Sequence, residues 1–217
     1  MTADTKERIL NAAERLFADR GFPATSLRDI TSEASVNIAS VNYHFGSKEA
    51  LLGAVLERRL RPVNARRLDL LDAIETAAGT GALNAEEVIR AFLSPPFQMR
   101  QEGGAGGDDF LRLIGRFQSE TNEEFRATFR QFDGAYRRFG QALQRALPHL
   151  DATDIGWRML FLVGSMAFTM AWGDSFVSIS PGSHRDPEDV LESLIQFATA
   201  GMAFPVPIGA AQRRPAS

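Results

Sequence analysis

The chain of 217 residues contains no cysteine, which excludes disulfide bonds, thiolate metal sites and a cysteine nucleophile. Its formal net charge is −3, so it lacks the overall basic excess that is typical of many nucleic-acid-binding proteins. A small, locally basic reading head can still belong to an acidic protein. The N-terminal residues are charged and lack the apolar core of a signal peptide, and we therefore expect a cytoplasmic protein.

Motifs of catalysis and of cofactor binding are also missing. The three histidines, His44, His149 and His184, are widely separated and form no metal-ligand pair. The chain has no nucleophile elbow and no P-loop, because the Gly-Ser-Lys run at 46–48 lacks the upstream glycine. The glycine-rich run at 103–107 lacks the spacing of a dinucleotide-binding loop, and we interpret it as a mobile loop. We expect no enzyme activity, no cofactor and no metal.

No stretch of the chain shows the alternation of a β-strand, whereas apolar residues recur at three- and four-residue spacing, which predicts an all-α fold. Residues 25–48 carry the clearest local signals. Ser26 and Asp29 have the spacing of a capping box, and Asn37 is a suitable N-cap for a second helix over about residues 38–45. Two short helices joined by a tight turn predict a helix-turn-helix, whose second helix is sized for the DNA major groove.

The spacing within this second helix predicts which of its side chains face outward. Val41 and Phe45 lie four residues apart and should face the core. Among the outward groups, asparagine can pair with adenine, hydroxyls bind bases or phosphates, and small apolar groups touch a thymine methyl. A polar surface helix without a role in DNA binding is the alternative for so short a segment. We assign base contacts to Ile38, Ala39, Ser40 and Asn42, and phosphate contacts to Thr25, Ser26, Tyr43 and Lys48.

The chain resembles a known family over about its first quarter. The run ASVNIASVNYHFGSKEAL at 34–51, preceded by ILNAAERLF at 9–17, is similar to the N-terminal domain of TetR-type (TetR/AcrR family) transcriptional regulators. Two positions depart from the commonest family pattern: Ser35 stands where the turn usually has glycine, and Asn42 where tyrosine is most frequent. The first departure implies a turn that tolerates a side chain. The second leaves open whether Asn42 or Tyr43 approaches a base.

The resemblance implies a homodimeric DNA-binding regulator, most commonly a repressor that a small lipophilic, fatty-acyl-like effector releases from a palindromic operator. It implies a helix-turn-helix domain at 1–47 and a helical ligand-binding and dimerisation domain at 48–204. The tail at 205–217 should be disordered because of its composition. The resemblance also adds Arg28, Asn37 and His44 to the candidate DNA contacts. The alternative function is a helical partner-binding or structural protein that keeps a helix-turn-helix shape without reading DNA.

The helix after the DNA-binding domain is expected to begin almost at once, since Gly46 ends the second helix and Ser47 can cap the next one. Pro62 should kink or end this helix, because proline lacks an amide hydrogen and clashes with the preceding turn. The arginines near this proline are interpreted as a solvated helix face, with a second DNA contact as the alternative: Arg58, Arg59, Arg61, Arg66 and Arg67.

Further along, local signals predict separate helices with breaks between them. Asn84 should cap a helix that ends at Pro95-Pro96, and the glycine-rich run should separate it from a helix that starts at Asp108 or Asp109. Another helix should begin at Asn122.

Two apolar helices should close the fold. A nearly apolar helix over about 151–178 is long enough to be considered as a membrane span. We favour burial between its own domain and a second subunit, together with a last helix that starts at Pro187, so no membrane partner is expected.

Most of the sixteen phenylalanines follow residue 90. A packed aromatic core explains each of them singly, but together they also suit an apolar cavity for a lipophilic effector. The candidate pocket residues are Phe92, Phe110, Phe117, Phe125, Phe129, Phe132, Phe161 and Phe168.

Overall fold

The computed structural model describes residues 2–119, 133–179 and 185–205. Over these residues the chain is helical without a strand, which confirms the all-α prediction. The helix expected from Asn122, His184 and the tail after residue 205 lie outside the described residues. In chain order the helices are α1 (Thr2–Arg20), α2 (Leu27–Glu33), α3 (Ile38–Phe45), α4 (Lys48–Ala78), α5 (Ala85–Ser119), α6 (Asp133–Ala146), α7 (Ala152–Ile179) and α8 (Pro187–Ala203).

The capping box predicted for α2 is present. The Ser26 hydroxyl accepts from the Asp29 amide at 3.2 Å, and the Asp29 carboxylate accepts from the Ser26 amide at 2.8 Å. The hydrogen bond from the Ser26 hydroxyl is the main cause that lowers the pKa of Asp29 below its usual value. α1 starts at Thr2 and ends before Gly21, so Asp4 lies inside its first turn.

The caps predicted for the next two helices are also present. The Asn37 side chain accepts from the Ser40 amide at 2.8 Å and starts α3. The Ser47 hydroxyl accepts from the Ala50 amide at 3.1 Å and starts α4. Gly46 has a φ of 80°, which glycine adopts at little cost, and this conformation ends α3. Only two residues therefore separate α3 from α4.

The turn between α2 and α3 is a Schellman motif. The Val36 amide donates to the Thr31 carbonyl at 3.0 Å, and the Ser35 amide donates to the Ser32 carbonyl at 3.2 Å. Ser35 has a φ of 51° and is the only non-glycine residue of the described chain with a positive φ. A side chain in this left-handed region costs about 1–2 kcal/mol, so the turn tolerates Ser35 at some loss of stability.

α4 continues through Pro62, so the helix end considered for this residue is wrong, and the kink stays a prediction. On both sides of the proline the helix buries apolar side chains, among them Leu60, Val63 and Leu71. An interior proline costs about 3 kcal/mol, whereas each buried side chain of this size contributes about 1.5–3 kcal/mol. Tertiary packing therefore outweighs the local signal.

α5 continues through Pro95 and Pro96, where a helix end was expected. Pro96 has no amide hydrogen to donate to the carbonyl of Phe92 one turn earlier. The Nε atom of Arg67, on α4, donates to that carbonyl at 2.8 Å and replaces the missing bond. A contact from another helix, which no local pattern reveals, therefore satisfies the backbone beside the prolines.

The glycine-rich run at 103–107 is part of α5, so the predicted loop is wrong, and so is the predicted helix start at Asp108 or Asp109. The run nevertheless bends the helix. The Arg100 carbonyl oxygen lies 3.2 Å from the position that a Cβ on Gly107 would occupy. Seven residues of straight helix rise about 10.5 Å, so the axis must turn sharply between these two residues. Glycine suits position 107 because a side chain would press on the Arg100 backbone.

The buried apolar side chains form two clusters. The first joins α1, α2, α3 and the start of α4, and the second joins the end of α4 to α6, α7 and α8. α5 contributes to both clusters, because Phe92 lies in the second while Phe110 and Leu113 lie in the first. The bent helix is therefore a direct mechanical link between them. The domain boundary at residue 47 stays a prediction.

The arginines around Pro62 only partly form the expected solvated face. Arg67 is buried, which contradicts that interpretation, because its side chain reaches across to α5. Arg58 and Arg59 both turn to α1 and pair with Glu14, a nearly inaccessible carboxylate; the Arg59 Nε to Glu14 Oε1 distance is 2.8 Å. The other two arginines of the group are exposed, as expected.

A stripe of exposed aromatic rings runs along α7. Trp157, Phe161, Phe168 and Trp172 are 58%, 61%, 64% and 55% exposed, and their spacing places them on one face with Gly164 at its centre. Within the described residues, Ala152–Gly173 is the one segment apolar and long enough to cross a bilayer, and 28% of it is buried. The face that would meet lipid or a partner protein is thus open in the single chain.

Candidate nucleic-acid interface

α3 presents an uncharged polar face to solvent. Val41 is fully buried beneath it, and Phe45 packs against the same cluster, as their spacing predicted. Because the inward side is fixed by these two side chains, the outward side of α3 has one orientation. The predicted base-reading side chains are exposed or half-buried on that side: Ile38, Ala39, Ser40 and Asn42.

Tyr43 projects further than its neighbours. Its side chain is 81% exposed, and its ring makes an edge contact with the half-buried His44 ring at 5.0 Å between centroids. His44 in turn lies 6.1 Å from the Phe45 ring, so the three rings form a row that leads from the core to the surface. This row supports Tyr43 at the C-terminal end of α3, where its hydroxyl can reach a phosphate or a base edge.

Arg8 holds the turn of the helix-turn-helix against α1. Its Nη2 atom donates to the Ala34 carbonyl and, at 2.8 Å, to the Ser35 carbonyl. These two carbonyls flank the left-handed residue of the Schellman motif. A side chain far away in sequence thus fastens the turn that orients α3, and residues 25–48 alone gave no sign of it.

The side chains of Thr25 and Lys48, which were expected to contact phosphate, bind backbone carbonyls of the protein itself. Thr25 is buried, and its hydroxyl donates to the Gly21 carbonyl at 2.8 Å. The Lys48 ammonium donates to the carbonyls of Phe22 and Thr25 at 2.8 and 2.9 Å, and it lies 4.2 Å from the centre of the Phe22 ring. Both side chains therefore bind the loop before α2 to its neighbours, and Lys48 fixes the start of α4 to that loop.

The remaining candidate DNA contacts are exposed on α2 or are the N-caps of α2 and α3. Ser26 and Asn37 are exposed caps whose side chains already bind backbone amides. Arg28 is exposed on the first turn of α2. The acidic residues of this helix are paired, since Asp29 lies 3.8 Å from Arg20 and Glu33 bonds to Arg15. Pairing reduces the negative charge that would repel phosphate beside Arg28.

A buried ion-pair cluster connects α1 to α4 below this surface. Glu14 accepts from both Arg58 and Arg59, and Arg58 also donates to Asn11 at 2.7 Å and to Glu7 at 3.1 Å. Breaking one partner of such a buried pair leaves an uncompensated charge and is costly. α1 and α4 therefore move together. A displacement of α4 also displaces the reading head, by which we mean α1, α2 and α3.

Two sequence families match the chain. One, described as a tetracyclin repressor-like C-terminal domain, matches residues 90–201, which is half of the chain. The other, described as bacterial regulatory proteins of the tetR family, matches residues 9–55. The chain belongs to the TetR family. The N-terminal match contains α2, α3 and the Gly46-Ser47 junction whose geometry is described above.

Individual relatives of this TetR-family chain match over short stretches. An HTH-type transcriptional repressor of Mycobacterium tuberculosis is 55% identical over 49 residues, which are 23% of this chain and 26% of the relative. The HTH-type transcriptional repressor KstR2 of Mycolicibacterium smegmatis is 37% identical over 70 residues, 32% of this chain and 34% of the relative. The chain thus matches about a quarter to a third of the length of these relatives.

Solved structures match over nearly the whole chain. A linker mutant of HlyIIR superposes with a TM-score of 0.63 and 20% identity, covering 90% of this chain and 99% of the other. The ketosteroid transcriptional regulator KstR2 of Mycobacterium tuberculosis superposes with a TM-score of 0.61 and 19% identity, covering 90% and 93%. At these identities the likeness shows the TetR-family fold alone.

The structure does not gather the four candidate pocket phenylalanines whose side chains it describes into one cavity. Phe92 is buried in the C-terminal cluster, with its ring 5.1 Å from the ring of Phe139. Phe110 is buried against α1 instead, and Phe161 and Phe168 are exposed on α7. The other four lie outside the described side chains: Phe117, Phe125, Phe129 and Phe132.

Several residues that matter for the site escaped the sequence analysis. Arg8, Glu14 and Arg67 act through partners 25 to 45 residues away, so no local spacing identifies them. The aromatic stripe of α7 could have been found, because Trp157, Phe161 and the rings that follow lie at helical spacing on a helix already expected to meet a second subunit.

Proposed function

We propose that this TetR-family chain is a cytoplasmic transcriptional regulator, most simply a repressor, that binds a palindromic operator as a homodimer and leaves it when a small lipophilic effector binds. The observation that carries the proposal is the outward face of α3. It is uncharged, it combines polar with apolar side chains that are exposed or half-buried, and it is held in one orientation by Val41 below and Arg8 behind the turn. We propose no catalytic role.

The chemistry of the α3 surface supports different roles for different side chains. Asn42 has an amide that can bind adenine through two hydrogen bonds, and Ile38 and Ala39 can contact thymine methyl groups. Tyr43 and Arg28 can bind phosphate oxygens, which fixes register without reading sequence. The internal hydrogen bonds of Lys48 favour a supporting role, in which it positions the start of α4 and leaves its third N–H for a phosphate.

The aromatic stripe supports the homodimer. Monomeric proteins rarely leave such a row of rings in water, and α8 extends the apolar surface with Phe197, which is 70% exposed. A shallow apolar groove of about 150 Å³ separates the two helices, lined in part by Phe161, Ser165 and Gly201. Two copies of α7 and α8 that pack about a twofold axis would form a four-helix bundle and cover both faces. A dimer explains this open face better than a membrane does, since the same chain carries the head for DNA.

Release from DNA follows from the geometry of such a dimer. The two recognition helices must lie about 34–36 Å apart, or near a multiple of that distance, to enter successive major grooves. α4 joins the reading head through only Gly46 and Ser47 and is tied to α1 by Glu14. A small swing of α4 therefore moves the whole head, and an effector that favours the displaced state weakens DNA binding.

The experiment is a selection of duplex DNA from a random pool by the full-length protein, followed by binding measurements on the selected site. We expect Asn42→Ala to cost about 1–3 kcal/mol at particular base pairs and to relax the preference there. We expect Arg28→Ala to weaken all sequences alike and to reduce the slope of log K against log salt by about one unit. Arg66→Ala removes an equally exposed arginine of α4 and serves as the control.

Two results would contradict the proposal. Failure to enrich any duplex sequence would favour a helical protein that keeps the helix-turn-helix shape for another purpose. A uniform loss of affinity for Asn42→Ala across all sequences would make that residue a phosphate contact and move base reading to its neighbours, including Tyr43.

A further inference from the structure

Arg67 is the only buried arginine of the described chain, with 7% of its surface exposed. Its side chain leaves α4 and enters the junction with α5 and α7. The guanidinium carbon lies 3.9 Å from the centre of the Phe92 ring. The other arginines in strong ion pairs are partly exposed, for example Arg90 with Glu192 and Arg138 with Asp72. The most deeply buried positive charge is therefore in an apolar part of the fold.

The partners of Arg67 are all uncharged. Nε donates to the Phe92 carbonyl at 2.8 Å, Nη1 donates to the Asn64 side-chain oxygen at 3.0 Å, and Nη2 lies 3.6 Å from the Met166 sulfur. Among the described side chains no carboxylate pairs with it. Burial without a counter-charge lowers the pKa of Arg67 to about 9. Burying an ion without a partner costs several kcal/mol, which makes a merely structural role an expensive one.

Satisfying the Phe92 carbonyl needs only one of the five N–H groups of the Arg67 guanidinium. Nε replaces the hydrogen bond that Pro96 cannot donate to Phe92, and a neutral donor could do the same. The terminal nitrogens make one contact each, to an amide oxygen and to a weakly accepting thioether. One N–H on each terminal nitrogen thus has no described acceptor. The two terminal nitrogens of a guanidinium can together bind a carboxylate through two parallel hydrogen bonds.

We propose that Arg67 binds the anionic group of the effector, and that the effector is an amphiphile with a carboxylate head and an apolar body. This inference rests on the proposed function and names the class of ligand. The carboxylate would bind the free N–H groups of the guanidinium and supply the missing counter-charge. The Met166 sulfur lies beside Nη2 of Arg67, and the flexible, unbranched methionine side chain can move aside for the head group of the ligand. The apolar body would extend among the buried side chains of α5 and α7.

The position of Arg67 also connects such a ligand to the DNA. Arg67 lies on α4 itself, 19 residues after Lys48, a distance of about 28 Å along the helix. Its hydrogen bond to Phe92 ties α4 to the backbone of α5. A carboxylate that competes for the guanidinium changes this tie and thereby shifts α4 against α5. The shift reaches α3 through the two-residue junction at Gly46 and Ser47.

The test compares ligands that differ only in the head group. Binding of octanoate, dodecanoate, hexadecanoate and a polycyclic carboxylate to the full-length protein is measured by calorimetry, each beside its methyl ester and its primary amine analogue. We expect each bound carboxylate to bind about 10- to 100-fold more tightly than its ester, and the amine to bind more weakly than the ester. The preference should fall to less than about threefold in Arg67→Gln, which keeps a donor for Phe92 without the charge, and persist in Arg66→Gln.

The outcomes separate this inference from the proposed function. Equal affinity of the wild-type protein for acid and ester would overturn the role of Arg67 and leave a lipophilic effector in place. This comparison requires no variant, so it decides the matter even where Arg67→Gln does not fold. An unchanged acid preference in a folded Arg67→Gln protein would also overturn the role. Binding of none of the compounds would overturn both this inference and the effector part of the proposed function, whereas selective DNA binding would still stand.

Discussion

Replacing Gly164 by arginine tests the dimer at the centre of the aromatic stripe. A Cβ at Gly164 meets no atom within 4 Å, so the single chain has space for a side chain there. The glycine lies between Phe161 and Phe168 on the same face of α7. In a four-helix bundle this is the position where a partner helix can approach closely. The substitution should therefore leave the protomer folded and act on the interface alone.

The size of the effect follows from the exposed rings and from symmetry. The four rings on α7 and Phe197 on α8 together expose the surface of roughly three whole aromatic residues, or about 600 Å² for each protomer. Two protomers together then reach the size of a standard stable interface from these rings alone. An unpaired buried charge costs about 3–5 kcal/mol, and a twofold interface contains it twice. We expect Gly164→Arg to weaken dimerisation by about 6–10 kcal/mol.

Sedimentation velocity over a range of protein concentrations measures this change. The wild-type chain should sediment as a dimer, and Gly164→Arg as a monomer or as aggregates. Gly140→Arg is the matched control, because a Cβ at Gly140 also meets no atom within 4 Å and this glycine lies on α6 and not on the stripe. A folded Gly164→Arg protein that stays dimeric, with a dissociation constant within tenfold of the wild type, would remove α7 from the interface.

Three further substitutions test the reading head. Ser35→Gly should relieve the left-handed strain and raise the melting temperature by about 2–4 °C without changing DNA specificity; a lower melting temperature would contradict the strain. Lys48→Met should lower both stability and affinity for every DNA sequence, since the ammonium binds two carbonyls beside Phe22; unchanged urea unfolding would make it a DNA contact only. Asp29→Asn should remove acid sensitivity from the α2 cap. The pKa of Asp29 is lowered in the folded state, so its carboxylate stabilises the fold above about pH 4, and this stabilisation is lost as the pH falls through the lowered pKa. Below pH 4, the free energy of unfolding measured with urea should therefore change less with pH in Asp29→Asn than in the wild type.

Short-range signals predicted the head of this protein well. The caps at Ser26, Asn37 and Ser47 each involve a side chain and an amide three residues later, so the sequence contains both partners. The inward side of α3 follows from the four-residue spacing of Val41 and Phe45 in the same way. Such features depend on helix geometry alone and survive in almost any tertiary setting.

The helix interiors were predicted poorly. Proline at 95–96 and glycine at 103–107 predicted breaks, and proline at 62 predicted a kink or an end. The helices continue because neighbouring helices bury the flanking side chains and supply a hydrogen bond from Arg67. The cost of an interior proline, about 3 kcal/mol, is a local quantity, whereas the stabilisation that exceeds it comes from residues far away in the chain. A sequence pattern therefore shows the local cost of the proline but not the stabilisation by distant residues.

The sequence by itself determined the all-α class, the family and the identity of the side chains on the outer face of α3, because periodicity, caps and motif spacing are properties of contiguous residues. Only the tertiary structure decided that Arg8 fastens the turn, that Lys48 and Thr25 bind backbone carbonyls, and that Arg67 is buried with no carboxylate beside it among the described side chains. Each of these depends on which distant helix lies opposite the side chain. The residue type alone shows that an arginine is charged, but the packing around it determines how far water reaches that charge.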